Sequence, residues 1–257
     1  MAMDKMPVLF VGHGSPMNAI EGNDFTRNWV KLAREIPKPA AILAISAHWF
    51  TKGARIMDEA NPKVIYDMYG FPSALYKVVY NPVGAPELAH SVKNLINRET
   101  TFDNTWGYDH GTWSVLVHMY PQKDIPVFQL SVDGLSPPEA HLEIGRYLRP
   151  LREIGVLILG SGNVVHNLRL INWSMKKGND WAYKFDDYIK ESILNKEANN
   201  VVNYQQAGDA ANLAVPTPDH FYPLLYILGA ADGSEQITVY NNECTMGSMS
   251  MTSYLFK

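Results

Sequence analysis

The sequence predicts a single-domain α/β fold, in which a mainly parallel central sheet is flanked by helices and extended by antiparallel edge strands near the C-terminus. Three observations predict this fold. Short apolar runs suit strands buried on both faces, helix-like segments alternate with these runs, and segments with period-two alternation follow near the end of the chain. Hydrophobic residues make up 46% of the 257 positions, which is enough for a sizeable core. We therefore expect one domain over residues 1–257.

The first two predicted strands, at residues 7–11 and 41–47, are continuous apolar runs that each end beside a histidine. His13 lies in a Gly-His-Gly turn after the first run, and His48 follows the second. The segment between them, residues 24–34, predicts a helix that ends before two prolines. The order indicates a β-α-β unit with a histidine at the carboxyl end of each strand.

Two further buried strands are predicted at residues 126–132 and 156–160. Near the C-terminus, residues 236–240 and 248–254 alternate with period two, which indicates half-exposed strands. We expect these two segments to extend the sheet in antiparallel orientation.

Helix signals are clearest between the third and fourth strands. Ser136 is the expected N-cap, the proline after it suits the first turn, and Glu139 completes a capping box. This helix is expected to end before Gly155. Residues 86–97 and 180–199 also have helical patterns.

Composition excludes several classes of function. The net charge is -4, and no dense cluster of basic residues is present, so nucleic acids and membrane surfaces are not expected partners. No apolar run approaches the roughly 18 residues of a membrane-spanning helix. The first residues do not have the pattern of a signal peptide, so we expect a cytoplasmic protein. A single cysteine cannot form an internal disulfide.

Histidines at three strand ends are the most informative feature. His13 and His48 follow the first two strands, and His166 lies just after the fourth. Ligands gather at the carboxyl ends of parallel strands, and imidazole is a common metal ligand. A lone histidine is more often structural, but three independent strand ends predict a site for one divalent metal ion.

Two further histidines are candidates. His220 follows two closely spaced prolines in residues 216–220, which would hold its side chain in place. His110 lies in residues 106–113, where glycines allow close approach to a ligand and aromatic rings can stack on a substrate. We expect His110 to lie in a substrate pocket. Surface or packing roles are expected for the remaining three histidines, His90, His118 and His141.

The chain resembles the class III extradiol ring-cleavage dioxygenases, and within them the branch that opens catechols such as L-DOPA. The similarity is nearly full length and is carried, in the same order and spacing, by residues 10–18, 46–50, 106–111, 161–169, 216–220 and 246–251. It implies a catalytic domain over residues 1–257, with a small catechol and O₂ as partners. It also implies 4,5-cleavage of the ring to a muconic semialdehyde.

The resemblance further implies roles for the site residues. His13, His48 and His220 would be the metal ligands, and His110 would contact the substrate or O₂. His166 would be an acid–base catalyst with a pKa near neutrality, or a fourth ligand; the sequence leaves both roles open.

The identity of the metal is open between Zn²⁺ and non-haem Fe²⁺. Many members of the superfamily use two histidines and a glutamate. With a histidine at position 220 the site loses one negative charge and becomes better suited to zinc.

Two other functions stay open at this point. Three histidines are also the ligand set of a zinc-dependent hydrolase, which would need no O₂. A non-catalytic, metal-binding adaptor on the same fold is the other alternative, although the full set of pocket histidines argues against it. We expect a monomer or a dimer.

Overall fold

A computed structural model of the protein describes residues 5–257. Residues 1–4, which belong to the predicted domain, lie outside the described residues. The predicted class is confirmed: the chain forms one α/β unit with a mainly parallel central sheet and helices on both of its faces. No helix within residues 5–257 is both long and apolar enough to cross a membrane.

The strands of the described chain are short. In chain order they are β1 (Val8–Gly12), β2 (Ala41–Ser46), β3 (Phe50–Thr51), β4 (Ala54–Ile56), β5 (Thr100–Phe102), β6 (Val127–Gln129), β7 (Val132–Asp133), β8 (Val156–Gly162), β9 (Ile237–Tyr240), β10 (Cys244–Thr245), β11 (Met249–Ser250) and β12 (Ser253–Phe256).

The helices follow the same order. They are α1 (Asp24–Glu35), α2 (Pro86–Leu95), α3 (His110–Met119), α4 (Pro138–Leu148), α5 (Pro150–Glu153), α6 (Asp180–Leu194), α7 (Ala198–Val202), α8 (Asp209–Ala214) and α9 (Tyr222–Ala230). Short 3-10 turns cover Pro16–Ala19, Leu75–Lys77, Leu168–Leu170 and Tyr204–Ala207.

The main sheet has six strands in the order β6-β2-β8-β1-β12-β9. The first four are parallel, while β12 runs antiparallel to β1 and β9 antiparallel to β12. The register pairs Gly12 with Gly162 and Ser46 with Ser161. The strands β1, β2 and β8 therefore end at nearly the same level, and the residues that follow them emerge at one edge of the sheet.

Both faces of the parallel strands are covered. In β1, Val8 and Phe10 pack with α4, α6 and α9, whereas Leu9 and Val11 pack on the opposite face with Trp29 of α1. This two-sided burial explains why the sequences of these strands are continuous apolar runs and do not alternate between apolar and polar residues.

The predicted start of the helix after β7 is wrong in detail. Helix α4 begins at Pro138 with Pro137 as its N-cap, and no side chain caps it. The hydroxyl of Ser136 instead donates to Asp133 at 2.6 Å, so it is not free to cap the helix. The capping box with Glu139 does not form.

Four predicted elements are divided in the structure. The predicted strand over residues 126–132 becomes β6, in the main sheet, and β7, which pairs with β3. The helix expected to reach Gly155 ends at Leu148 and restarts as α5 at Pro150, because proline lacks the N–H that would continue the helix. The predicted helix over residues 180–199 breaks at Lys196, which has a φ of 61°. The predicted strand over residues 248–254 becomes β11, which pairs with β10, and β12, which joins the main sheet.

Helices α4 and α9 approach each other closely through two glycines. A Cβ atom on Gly229 would lie 2.0 Å from the carbonyl oxygen of Leu142, and one on Gly145 would lie 2.1 Å from that of Tyr226. These distances leave no room for a methyl group. Because α9 begins two residues after His220, this contact also fixes the position of that histidine.

We predict that Gly229→Ala destabilises the protein by about 1 to 3 kcal/mol, because the added methyl group overpacks the α4–α9 contact. Chemical denaturation monitored by circular dichroism measures the change. Gly22→Ala is the matched control, since a Cβ atom at Gly22 meets nothing within 4 Å and its φ is not positive. Equal stability of the two variants would contradict the prediction.

The packing role expected for His141 leads to a pH prediction. His141 is fully buried between Tyr222 and Tyr226, and neither ring nitrogen makes a hydrogen bond of normal geometry to a described residue. Burial lowers its pKa to about 4. The unfolded chain therefore binds one more proton at this residue between about pH 6.5 and pH 4, and stability falls as the pH falls.

We expect His141→Leu to reduce this loss by up to about 3 kcal/mol. The measurement is the free energy of unfolding of both proteins at pH 7 and at pH 4.5. Histidines elsewhere titrate equally in both, so parallel pH dependences would show that His141 does not contribute.

Candidate metal centre

A cavity of about 680 Å³ opens at the carboxyl edge of the parallel strands. This volume lies within the range of small-molecule sites. The structure brings together in its lining every histidine predicted to belong to the site: His13, His48, His110, His166 and His220. Their individual roles stay predictions.

The sheet explains how the cavity receives side chains from distant parts of the chain. The backbone N–H of His13 donates to the carbonyl of Gly162 at 3.1 Å, and that of Ala47 donates to Ser161 at 2.9 Å. Pairing with β8 therefore continues past the ends of β1 and β2. The first residues of both loops are held against the same strand.

The ring of His13 is buried and oriented by a hydroxyl group. Its Nδ1 lies 3.0 Å from Oγ of Ser161, and that hydroxyl donates its own proton to the carbonyl of Gly111. Since Ser161 has a single hydroxyl proton, its oxygen must accept from His13 Nδ1–H. Nε2 of His13 therefore carries a lone pair.

His48 faces His13 through the equivalent nitrogen. Nδ1 of His48 lies 3.0 Å from Oδ2 of Asp67, so this nitrogen carries the proton and donates it to the carboxylate. The two Nε2 atoms are 3.2 Å apart. At this distance the two nitrogens either share one proton in a hydrogen bond or both bind a metal ion through their lone pairs.

A divalent metal ion fits this arrangement. Two imidazole nitrogens bound at about 2.0–2.1 Å in a tetrahedral site lie roughly 3.3 Å apart. The observed separation of 3.2 Å is close to that value. Ligand atoms of His13, His48 and His110 all lie within 4.8 Å of one another, and this group fits a single metal site.

His110 occupies the first turn of α3, whereas the sequence placed it in a glycine-rich and aromatic segment without a helix boundary. Asp109 is the N-cap and accepts from the backbone N–H of Thr112 at 3.0 Å. Both the backbone N–H and Nδ1 of His110 contact the carboxylate of Asp67, at 2.9 and 3.0 Å. Asp67 therefore contacts His48 and His110 together.

His220 and His166 form the other side of the cavity. Their rings stack with centroids 3.4 Å apart and an interplanar angle of 8°. Nδ1 of His220 donates to the carboxylate of Asp219, and its buried Nε2 has no hydrogen-bond partner among the described residues. The free nitrogen belongs to a ring 5.3 Å from that of His13 and 4.9 Å from that of His48, measured between centroids.

The ligand atoms form two close groups, and neither of them matches the predicted ligand set. Ligand atoms of His110 cluster with those of His13 and His48, while His220 groups with His166 and Asp219. Both groups line the same cavity, so the geometry offers His110 and His220 as neighbours of the facing pair.

Burial sets the charge of most of these imidazoles. It lowers the pKa of His13 and His220 well below the usual value, and it also lowers that of His110. Burial alone lowers the pKa of His48 too, but the hydrogen bond and negative charge of Asp67 outweigh it and leave that pKa raised. Most of the nitrogens facing the cavity are therefore neutral and able to bind a metal ion.

Burial alone raises the pKa of Asp67, but its hydrogen bonds to His110 and His48 hold that pKa well below its usual range. For His166 the expected pKa near neutrality is wrong for the metal-free protein, because burial lowers it to about 4. His166 is therefore neutral and Asp67 is ionised at pH 7.

Apolar residues form the outer walls of the cavity. One wall comes from residues 67–71 and the other from residues 168–173; their apolar members are Met68, Tyr69, Phe71, Leu168, Ile171 and Trp173. Tyr69 and Trp173 are 93% and 62% exposed, which places large aromatic side chains at a solvent-accessible site. Exposed aromatic side chains beside a cavity are suited to contacting a planar ligand.

Sequence reasoning missed the residues that orient the histidines. Asp219 directly precedes a candidate histidine and Ser161 directly follows a predicted strand, so a search for polar neighbours of site residues would have found both. Asp67 has no such signal. It lies in a loop far from His48 and His110 in the chain, and only the folded structure brings them together.

Comparison with known proteins gives a consistent result. A family model described as the catalytic LigB subunit of aromatic ring-opening dioxygenase matches residues 7–257. A 4,5-DOPA dioxygenase extradiol of Escherichia coli (strain K12) is 45% identical over 259 residues, covering 98% of this chain and 95% of the relative. A protein of the same name from Beta vulgaris is 36% identical, covering 96% and 95%.

A solved structure agrees with these relatives. The crystal structure of an uncharacterized protein from Escherichia coli K12 superposes with a TM-score of 0.87 and 41% identity, covering 98% of this chain and all of that chain. The predicted resemblance is therefore confirmed, and the chain belongs to the LigB family of extradiol, aromatic ring-opening dioxygenases.

Proposed function

We propose that the chain opens the ring of a small catechol such as L-DOPA by 4,5-cleavage, with O₂ as co-substrate and one divalent metal ion held in the histidine cavity. The reaction adds both oxygen atoms and breaks the ring carbon bond beside the diol, giving a muconic semialdehyde. All atoms of catechol and O₂ are retained in this product, so no further reductant is required.

The observation that carries the proposal is the facing pair of Nε2 atoms of His13 and His48, 3.2 Å apart. Each ring donates its other N–H, to Ser161 and Asp67 respectively, so both lone pairs point at the same volume. When bound there, a divalent ion would supply the electrophilic and redox chemistry that lets a catechol react with O₂.

We assign His13, His48 and His220 as ligands. The orphaned and buried Nε2 of His220 supports this choice, because such an atom costs free energy unless it has a partner. The carboxylate of Asp219 on its Nδ1 is the usual outer partner of a metal-binding histidine. His110 remains the competing third ligand, since its ligand atom lies within 4.8 Å of those of His13 and His48.

His166 is proposed as the acid–base residue. It is neutral at pH 7, because burial lowers its pKa to about 4, and so it can accept a proton from a catechol hydroxyl. Returning that proton as the ring opens completes its cycle. Its ring stacks on that of His220, a proposed ligand, and this contact supports the assignment.

The apolar walls support an aromatic substrate. A catechol ring would lie between the walls formed by residues 67–71 and 168–173, with its hydroxyl groups directed at the histidines. The walls then exclude water from the ring and orient it, which is the protein's main contribution beside holding the metal ion.

Metal content should separate ligands from the acid–base residue. Loss of an outer partner of a metal ligand weakens metal binding roughly 10- to 100-fold. We expect a larger loss of metal affinity in His13→Ala and in His48→Ala, because each variant removes a ligand. His166→Ala should keep its metal ion, while its turnover falls by about 10²- to 10⁴-fold. Mass-spectrometric metal analysis after loading the metal-free proteins with Zn²⁺ measures metal retention, and oxygen uptake by the Fe²⁺-loaded proteins measures turnover. A metal-free His166→Ala protein would make this residue a ligand.

The same measurement decides the third ligand. His220→Ala is expected to lose the ion and His110→Ala to retain it; the reverse result would assign His110. His90→Ala serves as the matched control, because the side chain of His90 is 59% exposed and does not line the cavity.

Oxygen consumption tests the reaction itself. The metal-free protein is loaded anaerobically with Fe²⁺ or Zn²⁺ and mixed with L-DOPA in air-saturated buffer, while an oxygen electrode and an absorbance scan run together. We expect one O₂ consumed per L-DOPA with a yellow semialdehyde product in the Fe²⁺ protein, because Zn²⁺ has no redox chemistry. Fe²⁺-treated His13→Ala is the control.

No uptake across a panel of catechols would contradict the proposal. A product formed equally well without O₂ would indicate hydrolysis instead.

A further inference from the structure

Asp67 connects two imidazoles and one backbone amide at the base of the cavity. Its Oδ2 accepts from Nδ1 of His48 and from Nδ1 of His110, each at 3.0 Å, and its Oδ1 accepts from the backbone N–H of His110 at 2.9 Å. The side chain of Asp67 is only 9% exposed. These contacts join the loop after β2 to the first turn of α3.

Asp67 is also the first residue of a cavity wall. Met68, Tyr69 and Gly70, which follow it, make no hydrogen bond to any described residue, and the next contact, from the Phe71 N–H to the Tyr76 hydroxyl, is long at 3.4 Å. Tyr69 is 93% exposed, so packing holds its side chain weakly, whereas Met68 and Phe71 pack against the apolar core. The carboxylate of Asp67 is therefore the main polar anchor of this part of the wall.

We propose that Asp67 is a positioning residue that couples the metal centre to the substrate wall. Its contacts hold Nε2 of His48 and His110 toward the cavity, and the same contacts hold residues 68–71 beside it. Loss of the carboxylate would then weaken metal binding and release the wall in one step. This inference rests on the proposed metal site and assigns no chemical step to Asp67.

The chemistry of the three donors explains why a carboxylate is needed. His48 Nδ1, His110 Nδ1 and the His110 amide all donate, and an ionised carboxylate is a side chain that accepts at both of its oxygens. In Asp67→Asn one oxygen becomes an NH₂ group, which cannot accept. The variant therefore loses either the backbone contact or both imidazole contacts while keeping nearly the same size.

The test compares Asp67→Asn with the wild type and with Asp103→Asn. Asp103 is a suitable control because it is also a partly buried carboxylate, paired with Arg55, and does not line the cavity. Zn²⁺ affinity is measured by competition with a chelating dye. Limited chymotrypsin digestion of the Zn²⁺-loaded proteins, with the fragments identified by mass spectrometry, reports cleavage after Tyr69; the bond after Phe71 precedes Pro72 and resists this protease.

We expect Asp67→Asn to bind Zn²⁺ about 10- to 100-fold more weakly than the wild type and to be cleaved faster after Tyr69 when loaded at saturating Zn²⁺. Asp103→Asn should match the wild type in both measurements. Unchanged affinity, or unchanged cleavage, in a folded Asp67→Asn protein would overturn the proposal. A wild type that binds no Zn²⁺ would instead overturn the proposed function.

If circular dichroism shows that Asp67→Asn does not fold, the same measurements are made on Asp67→Glu, with Asp103→Glu as its control. The glutamate keeps the charge but moves the carboxylate outward by one methylene group. Weaker Zn²⁺ binding together with faster cleavage would support the proposal, and wild-type values in this variant would overturn it.

Discussion

The candidate site depends on the parallel register of β8 between β1 and β2. Pairing of Gly12 with Gly162 and of Ser46 with Ser161 ends the three strands at one level. A shift of two residues in either pair would move a histidine by nearly 7 Å along the strand. Such a shift would separate Nε2 of His13 from Nε2 of His48. The apolar packing on both faces of the sheet, which specifies the register, is therefore also what sets the geometry of the metal centre.

A second constraint is the tautomer of each ring. His13, His48 and His220 all donate Nδ1–H to an oxygen, which comes from Ser161, Asp67 and Asp219 in turn. The three rings therefore donate through the same nitrogen, although the oxygens that accept come from different elements. Because an oxygen holds Nδ1 of each ring, Nε2 is directed to the cavity side before any metal ion arrives. Preorganisation of this kind lowers the free energy needed to assemble a metal site.

The sequence was sufficient for the features that have a local pattern. Continuous apolar runs predicted the parallel strands, and the histidines that follow them marked the edge where the cavity lies. Local signals were misleading where they competed with other interactions. Ser136 matches an N-cap, but its hydroxyl binds Asp133. The apolar spacing continues past Pro150, although one helix ends and another begins there. The role of Asp67 could not be predicted, because its partners are brought to it by tertiary structure alone.

The distribution of charge explains how a site of neutral ligands can suit a divalent ion. A glutamate as third ligand would place one negative charge directly on the metal ion, and the proposed ligand His220 brings no such charge. In this chain Asp67 and Asp219 place carboxylates one imidazole further out, on His48 and His220. A carboxylate on Nδ1 makes Nε2 a stronger donor, so part of the lost charge is returned through the rings. The proposed site therefore carries its negative charge on the outer partners of its ligands, and these carboxylates add to the attraction of the neutral imidazoles for a divalent ion.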